Sequence, residues 1–314
     1  MSTLDLLLPE LRRVAPLDTQ RRLARWLARG DREPNAKPGR EIALRETFEF
    51  TGIHFPYAAL TRSLIWSDAA DAVWINADPA SVIADAVTVR MLACGNLGLT
   101  VEESNELAKP LKLLFGDAGF PLEVSPTGRW QLRCPKTSRL PVFSPPSAVL
   151  GDDMARHLPT GDNERQWRYL LNEAQVILHN HALNTARVQR GLPAVNSVWF
   201  WGGGALPDWV RTPLTRVISG DEPVVALARL AKVPHIDTSW SAQDPANRSD
   251  SILLDLGSAN DAQSLDVHLA DIDRALKQRF VTSLRIASAD GTRAVYKPGH
   301  AWRWWRTVKP LPAQ

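Results

Sequence analysis

Alternation between short apolar runs and amphipathic helical stretches is the feature that most narrows what this chain can fold into. In its second half, strand-like runs over 197–201, 214–218 and 252–256 are separated by helical stretches over 223–230 and 263–278. Strands that recur between helices bury themselves in a sheet which those helices cover. The first half supplies apolar strands over 4–8, 72–77 and 87–92, with a break expected at Asp78-Pro79, because proline removes a ladder donor. It also supplies an arginine-rich helix from Asp18 to about Arg29, a helix over 41–50, and a helix opening on Thr100-Val-Glu-Glu103. In that capping box the hydroxyl and the carboxylate satisfy each other's orphan amides, and Pro110 further along should kink the helix. Hairpins are expected where 120–124 meets 129–132 and where 281–287 meets 293–296, each across a glycine-containing turn. The expected fold is therefore α/β, a mixed central sheet flanked by helices.

At 314 residues the chain exceeds the usual length of one domain. Residues 136–159 are proline-rich and aperiodic, and a long helix expected over 164–186 starts a new unit. The spacing thus predicts an N-terminal lobe over 1–135, a connection over 136–163 and a C-terminal lobe over 164–314. A terminal strand over 301–308 should bury Trp302 and Trp304 on one face and leave Arg303 and Arg306 nearer solvent.

Hydrophobic residues at 44% and charged residues at 23% are ordinary globular usage. No apolar run approaches the ~20 residues of a bilayer crossing, and the five-residue stretch Leu4 to Leu8 near the start, with Asp5 inside it, is too short for a signal-peptide core. A cytoplasmic chain without a membrane partner is expected. Cys94 and Cys134 read as small apolar side chains of a reducing compartment. The net charge of +3 is uneven: residues 10–46 carry +4 and 292–314 carry +5, leaving −6 elsewhere. That balance disfavours nucleic acid as a partner, while local anion sites stay open.

On the helix from Glu164, Trp167, Leu170, Leu171, Ala174, Leu178 and His181 share one face, with His181 expected as a hydrogen-bonded core residue. Asn172, Gln175 and His179 form a polar ladder nearly opposite, facing either a ligand or water. His179 and His181, two apart, diverge too widely to chelate one ion. Gly202-Gly203-Gly204 follows an apolar strand and reads as a turn, either a plain tight one or one whose amides approach a phosphate. Pro207 stands where a dinucleotide fingerprint needs glycine, and no P-loop follows. Asp152, Asp153, His157 and Asp162 are the densest Asp/His cluster, a composition that turn-rich loops share with hard-metal sites. The tail's Trp-Arg interleaving suits base stacking or an ordinary packed strand. Gly-x-Ser-x-Gly and His-Glu-x-x-His are both absent. No catalytic residue, metal site or cofactor is assigned.

The run LLNEAQVILHNHALNTARVQRGLPAVNSVWFWGGGALP, residues 170–207, resembles the proteobacterial RpfE family, described as cofactor-independent phosphoglycerate mutases of RpfE type. Asn76-Ala-Asp-Pro79, Gly128-Arg-Trp130, Pro159-Thr-Gly-Asp162 and Trp302-Arg-Trp-Trp-Arg306 extend the resemblance over nearly the whole chain. The same central run is similar to the motif string of archaeal cofactor-independent phosphoglycerate mutases in the alkaline phosphatase superfamily, with His181-Ala-Leu-Asn184 standing for His-Pro-Val-Asn. The resemblance implies a degenerate alkaline-phosphatase-like fold. Mutases of that superfamily use two metals, an early Asp-Gly, a Ser or Thr nucleophile and late Asp-His pairs. Here Pro9-Glu10 follows the first strand, and Asp-His occurs nowhere.

These features lead to the expectation of a cytoplasmic, phosphoglycerate-mutase-like protein with a regulatory or phosphometabolite-binding role, lacking the two-metal site. The alternatives are an active mutase or phosphohydrolase with unorthodox ligands, and a nucleic-acid-associated accessory protein. The candidate ligand is a phosphorylated small molecule. Its candidate contacts are Asn172, Gln175, His179, Asn184, Arg187, Asn196, Gly202, Gly203 and Gly204, with Asn184, Arg187 and the glycines forming an anionic pocket.

Overall fold

The computed structural model of the protein describes residues 2–13, 17–85, 87–161, 163–237, 240–241, 251–257 and 262–311. Its strands are β1 (Thr3–Leu8), β2 (Asp31–Arg32), β3 (Glu49–Phe50), β4 (Val73–Ala84), β5 (Val89–Cys94), β6 (Leu122–Val124), β7 (Trp130–Cys134), β8 (Ser197–Ala205), β9 (Val210–Arg211), β10 (Arg216–Ile218), β11 (His235–Ile236), β12 (Ser251–Asp255), β13 (Ser283–Ser288) and β14 (Arg293–Tyr296). Its helices are α1 (Leu17–Arg29), α2 (Arg40–Thr47), α3 (Tyr57–Ser63), α4 (Val101–Asp117), α5 (Pro146–Val149), α6 (Glu164–His179), α7 (Ala182–Gln189), α8 (Glu222–Leu230) and α9 (Ala262–Lys277). Among the described residues no helix is long and apolar enough to cross a membrane.

The chain divides into two compact units, 1–51 with 208–314, and 52–207. The boundaries expected at 135/136 and 163/164 both fall inside the second unit. The proline-rich stretch is bound into that unit, because isolated bridges tie Leu150 to Met91, Asp153 to Arg90 and Val142 to Thr160.

In the first unit one sheet runs in the order β11-β10-β12-β1-β13-β14-β2. The first five strands are parallel, and β14 pairs antiparallel with both β13 and β2. Register aligns Leu4 and Leu6 with Ile252 and Leu254 on one side and with Leu284 and Ile286 on the other. This apolar layer packs with Leu23 and Trp26 of α1 and with Leu269 and Ile272 of α9. Burial on both faces is why β1 carries leucines on both, with Leu4, Leu6 and Leu8 on one and Leu7 beside Asp5 on the other. Antiparallel pairing of β3 with β9 brings together the points where the chain leaves and re-enters this unit.

The second unit is organised around β4, which pairs with β8 over 73–80, with β7 over 73–76 and with β5 over 80–84. β4 therefore runs through Asp78-Pro79, where a break was expected. The β7 ladder has ended at Asn76, the β5 ladder begins at Ala80, and the Pro79 carbonyl accepts from Gly95. The missing proline N–H thus falls in the interval between two ladders. Phe120 stacks on Trp167 at 5.0 Å, and Trp167 meets Phe200 edge-on at 5.1 Å. The capping box at Thr100 is formed, and α4 continues past Pro110 to Asp117.

Two further expectations are corrected. The helix expected over 164–186 is two helices, α6 and α7, with a break at Asn180 and His181. His181 is the N-cap of α7, its Nδ1 accepting from the Leu183 N–H at 3.3 Å, rather than a core side chain. The break is stabilised by Asn184, which donates to the Leu178 carbonyl at the end of α6 at 2.7 Å. The strand expected over 301–308 is absent: residues 298–302 form a 3₁₀ turn, and further turns follow. Trp302, Trp304 and Trp305 are 80%, 77% and 65% exposed. Arg303 and Arg306 instead turn inward and donate to the carbonyls of Arg29 and Gly30. Those are orphan acceptors at the negative end of α1, so the arginines, not the indoles, anchor the tail.

Candidate functional site

The residues expected to contact a ligand are mostly committed to the protein itself. Asn172 and His179 are exposed on α6, while Gln175 donates to Ser197 Oγ at 3.1 Å. Buried Asn184 donates to the Leu178 and Val195 carbonyls and accepts from the Val195 N–H at 2.8 Å. Asn196 exchanges two bonds with the Val82 backbone, both at 2.8 Å. Arg187 has no exposed surface: Nε donates to Pro193 at 3.2 Å, Nη1 to Glu103 Oε2 at 2.8 Å and Nη2 to Leu97 at 2.7 Å.

The triple glycine is strand, not turn. β8 runs on through 202–204. A Cβ on Gly202 would lie 2.7 Å from Tyr57 Cβ, one on Gly204 would lie 2.8 Å from Pro56 Cβ, and one on Gly203 would strike Leu140 Cδ1. The backbone approach that glycine permits is therefore filled by protein, and with Arg187 shielded no open anionic pocket forms there. Asp152 pairs with His157 at 3.0 Å, and Asp153 caps the short turn after it, accepting from Ala155 at 3.1 Å. Asp162 lies outside the described residues. Among those described, no group of three or more His, Cys, Asp or Glu is placed to hold a metal ion.

The first unit assembles a different cluster. β10 connects through α8 to β11 on one side of it, whereas β12 connects through α9 to β13 on the other side. Neighbouring strands that leave in opposite directions open the crevice where α/β sheets take ligands. At this edge Arg40, the first residue of α2, donates to Asp255 through Nη1 to Oδ1 at 2.9 Å and through Nη2 to Oδ2 at 2.7 Å. Nη2 also reaches Asp221 Oδ2 at 2.7 Å. Ser219 Oγ donates to Asp255 Oδ2 at 2.6 Å, and the Gly257 N–H donates to Oδ1 at 3.0 Å.

Each oxygen of Asp255 thus has two donors, and its side chain is fully shielded, which leaves no lone pair directed at a reacting proton. Burial works against the charge on Arg40, but Asp255 and then Asp221 outweigh it and raise its pKa above the ordinary guanidinium value. The guanidinium fills the space between the two carboxylates, so these residues do not fit the pair of metals that the resemblance implies. Sequence reasoning missed this cluster. The available signal was an Asp close after each of two apolar runs, in Ser219-Gly220-Asp221 and Asp255-Leu256-Gly257.

A stretch of 113 residues is 32% identical to the 2,3-bisphosphoglycerate-independent phosphoglycerate mutase of Methanothrix thermoacetophila, covering 36% of this chain and 28% of that protein. The chain is distantly similar to archaeal cofactor-independent phosphoglycerate mutases. A probable mutase of the same kind from Geobacter sulfurreducens is 35% identical over 63 residues, 20% of this chain and 16% of that protein. The chain thus spans between 16% and 28% of the length of these curated relatives. No family model matches it. Among solved structures, a cofactor-independent phosphoglycerate mutase from Thermoplasma acidophilum aligns with 95% of this chain and 90% of its own, at 17% identity and a TM-score of 0.43. The PH0037 protein of Pyrococcus horikoshii aligns with 94% of this chain and 87% of its own, at 14% identity and a TM-score of 0.48.

Proposed function

We propose that this chain is a phosphoglycerate-mutase-like protein of the RpfE type with a regulatory or phosphometabolite-binding role rather than a two-metal mutase. The observation that carries the reading is Arg40 lodged between Asp221 and Asp255. In-line phosphoryl transfer between metals requires carboxylates free to ligate them, whereas here both carboxylates engage a permanent cation. A guanidinium is also a bidentate phosphate ligand. A phosphorylated small molecule entering at the carboxyl edge would take the outer contact of Arg40 from Asp221, which is the more exposed of its two partners, while Asp255 keeps the inner one.

Calorimetry with the two monophosphoglycerates, beside a mutase assay with manganese or zinc supplied, tests this. Binding without turnover is expected, tightened by Asp221→Asn and weakened by Arg40→Lys. Metal-dependent interconversion by the wild type would overturn the non-catalytic reading. Equal binding by wild type and Arg40→Lys would overturn the placement of the ligand.

A further inference from the structure

The inward turn of Arg303 and Arg306 fixes the tail backbone and holds three indoles out in solvent. Trp304 and Trp305 stand at 80° with centroids 6.2 Å apart, so their planes do not cover each other. Exposed aromatic surface on a fixed backbone marks an interaction site. Its surroundings are basic. Trp302 borders a cleft of about 250 Å³ ringed by Arg25, Arg29, Lys277 and Arg279, with Asp273 the acid among its lining residues. Further along, Arg306 and Lys309 border a second cleft of about 510 Å³ with Arg32 and Arg293, where the lining acid is Asp290. Some of this charge is neutralised, since Asp273 pairs with Arg25 and Lys277, and Glu46 with Arg293. A positive surplus remains on both sides of the indoles.

We propose that residues 302–309, with these two clefts, bind single-stranded nucleic acid. Every base has a π-face that an indole can accept, and a phosphate backbone passing from one cleft to the other would meet cations at both ends. Duplex bases present no free faces, so the surface should select single strands. Besides its indoles the described tail exposes one large aliphatic side chain, Val308, too little to seat it in a bilayer or an apolar protein groove, since Leu311 packs against the core. The whole-chain charge balance argues against a nucleic-acid binder only if the cations are dispersed. Here cations of both basic sequence regions, Arg25, Arg29 and Arg32 from 10–46 and Arg293, Arg306 and Lys309 from 292–314, line these two clefts. This site is separate from the Arg40 cluster and stands independently of the function proposed there.

Fluorescence anisotropy of a labelled oligothymidylate and a labelled oligouridylate, titrated with the full chain at low and raised salt, is the test. Salt-sensitive binding is expected, stronger for single strands than for a duplex of equal length. Trp302→Ala and Trp304→Ala should each weaken it roughly tenfold with an unchanged melting temperature, and Lys309→Ala should lower the salt dependence. Absence of binding at low salt, binding indifferent to both tryptophan substitutions, or tryptophan-dependent capture by anionic phospholipid vesicles without oligonucleotide binding would each overturn the proposal.

Discussion

The Arg187 guanidinium donates to Glu103 Oε2 at 2.8 Å, tying α7 to the first turn of α4. Glu103 is at the same time the capping-box carboxylate of that turn and a partner of Arg190. A motif residue and a helix cap, each legible alone, are thus one buried junction. Arg187→Ala leaves Glu103 with Arg190 as its guanidinium partner but leaves the Leu97 and Pro193 carbonyls without this donor, which should cost about 1–3 kcal/mol. Urea denaturation measures it. A loss below about 1 kcal/mol would mean that the junction is not structural.

Gly202 has φ +65°, and a Cβ there would press on Tyr57 Cβ and on Asn76 Nδ2, 2.7 and 3.3 Å away. Left-handed backbone and overpacking add, so Gly202→Ala should destabilise by about 2–4 kcal/mol. Gly203→Ala presses on the far end of the Leu140 side chain, which can rotate, and meets Ile75 at an ordinary contact distance, so it should cost less. Thermal melts of the pair test that ranking, and equal losses would contradict it.

The α/β alternation is legible because β1 and β12 are buried on both faces and so write mostly apolar runs into the chain, interrupted in β1 by Asp5. The capping box at Thr100 is legible because all of its parts lie within four residues. The tail is not: Trp-Arg-Trp alternation suits a strand or a turn equally, and the choice is made by carbonyls of α1 more than 270 residues earlier. The Arg40 cluster escapes for the same reason, since Arg40 and Asp255 lie 215 residues apart and only the sheet order joins them. In the 170–207 run, the presence of Asn184, Arg187 and Asn196 is visible, but whether each faces a ligand or a backbone carbonyl is a property of packing.

Burial pushes the Cys134 thiol up to about 12. Burial, with Asp78 nearby, also raises that of Cys94. Both thiols are free, yet neither supplies thiolate near neutrality. The folded chain should react with a maleimide or a disulfide reagent only as fast as it opens, and denaturant should release two reactive groups. Rapid labelling of either cysteine in the folded state at pH 7 would contradict this.

Asp78 provides the clearest pH signature. It is buried in β4, with Trp201 Nε1 donating to Oδ2 at 2.7 Å. Burial pushes its carboxyl above the ordinary 3.8, a rise that Trp201 and Arg129 only partly counter. The folded state therefore holds this proton more tightly than the unfolded state. Its contribution is fully present below the unfolded pKa and is lost as pH rises through the folded one. Asp78→Asn keeps an oxygen for Trp201 but cannot ionise, so it should match the wild type near pH 4 and exceed it increasingly as pH rises. The gain should level off at about 1–3 kcal/mol, the cost of a buried group left incompletely paired. Glu103, which Arg190 holds below its ordinary value, has the opposite slope, losing its contribution as pH falls through its folded pKa. It is common to both proteins and cancels in their difference. Urea midpoints of wild type and Asp78→Asn from pH 4 to 8 give that difference directly, and a gap that is constant or that narrows with pH would show that the Asp78 carboxyl is not raised.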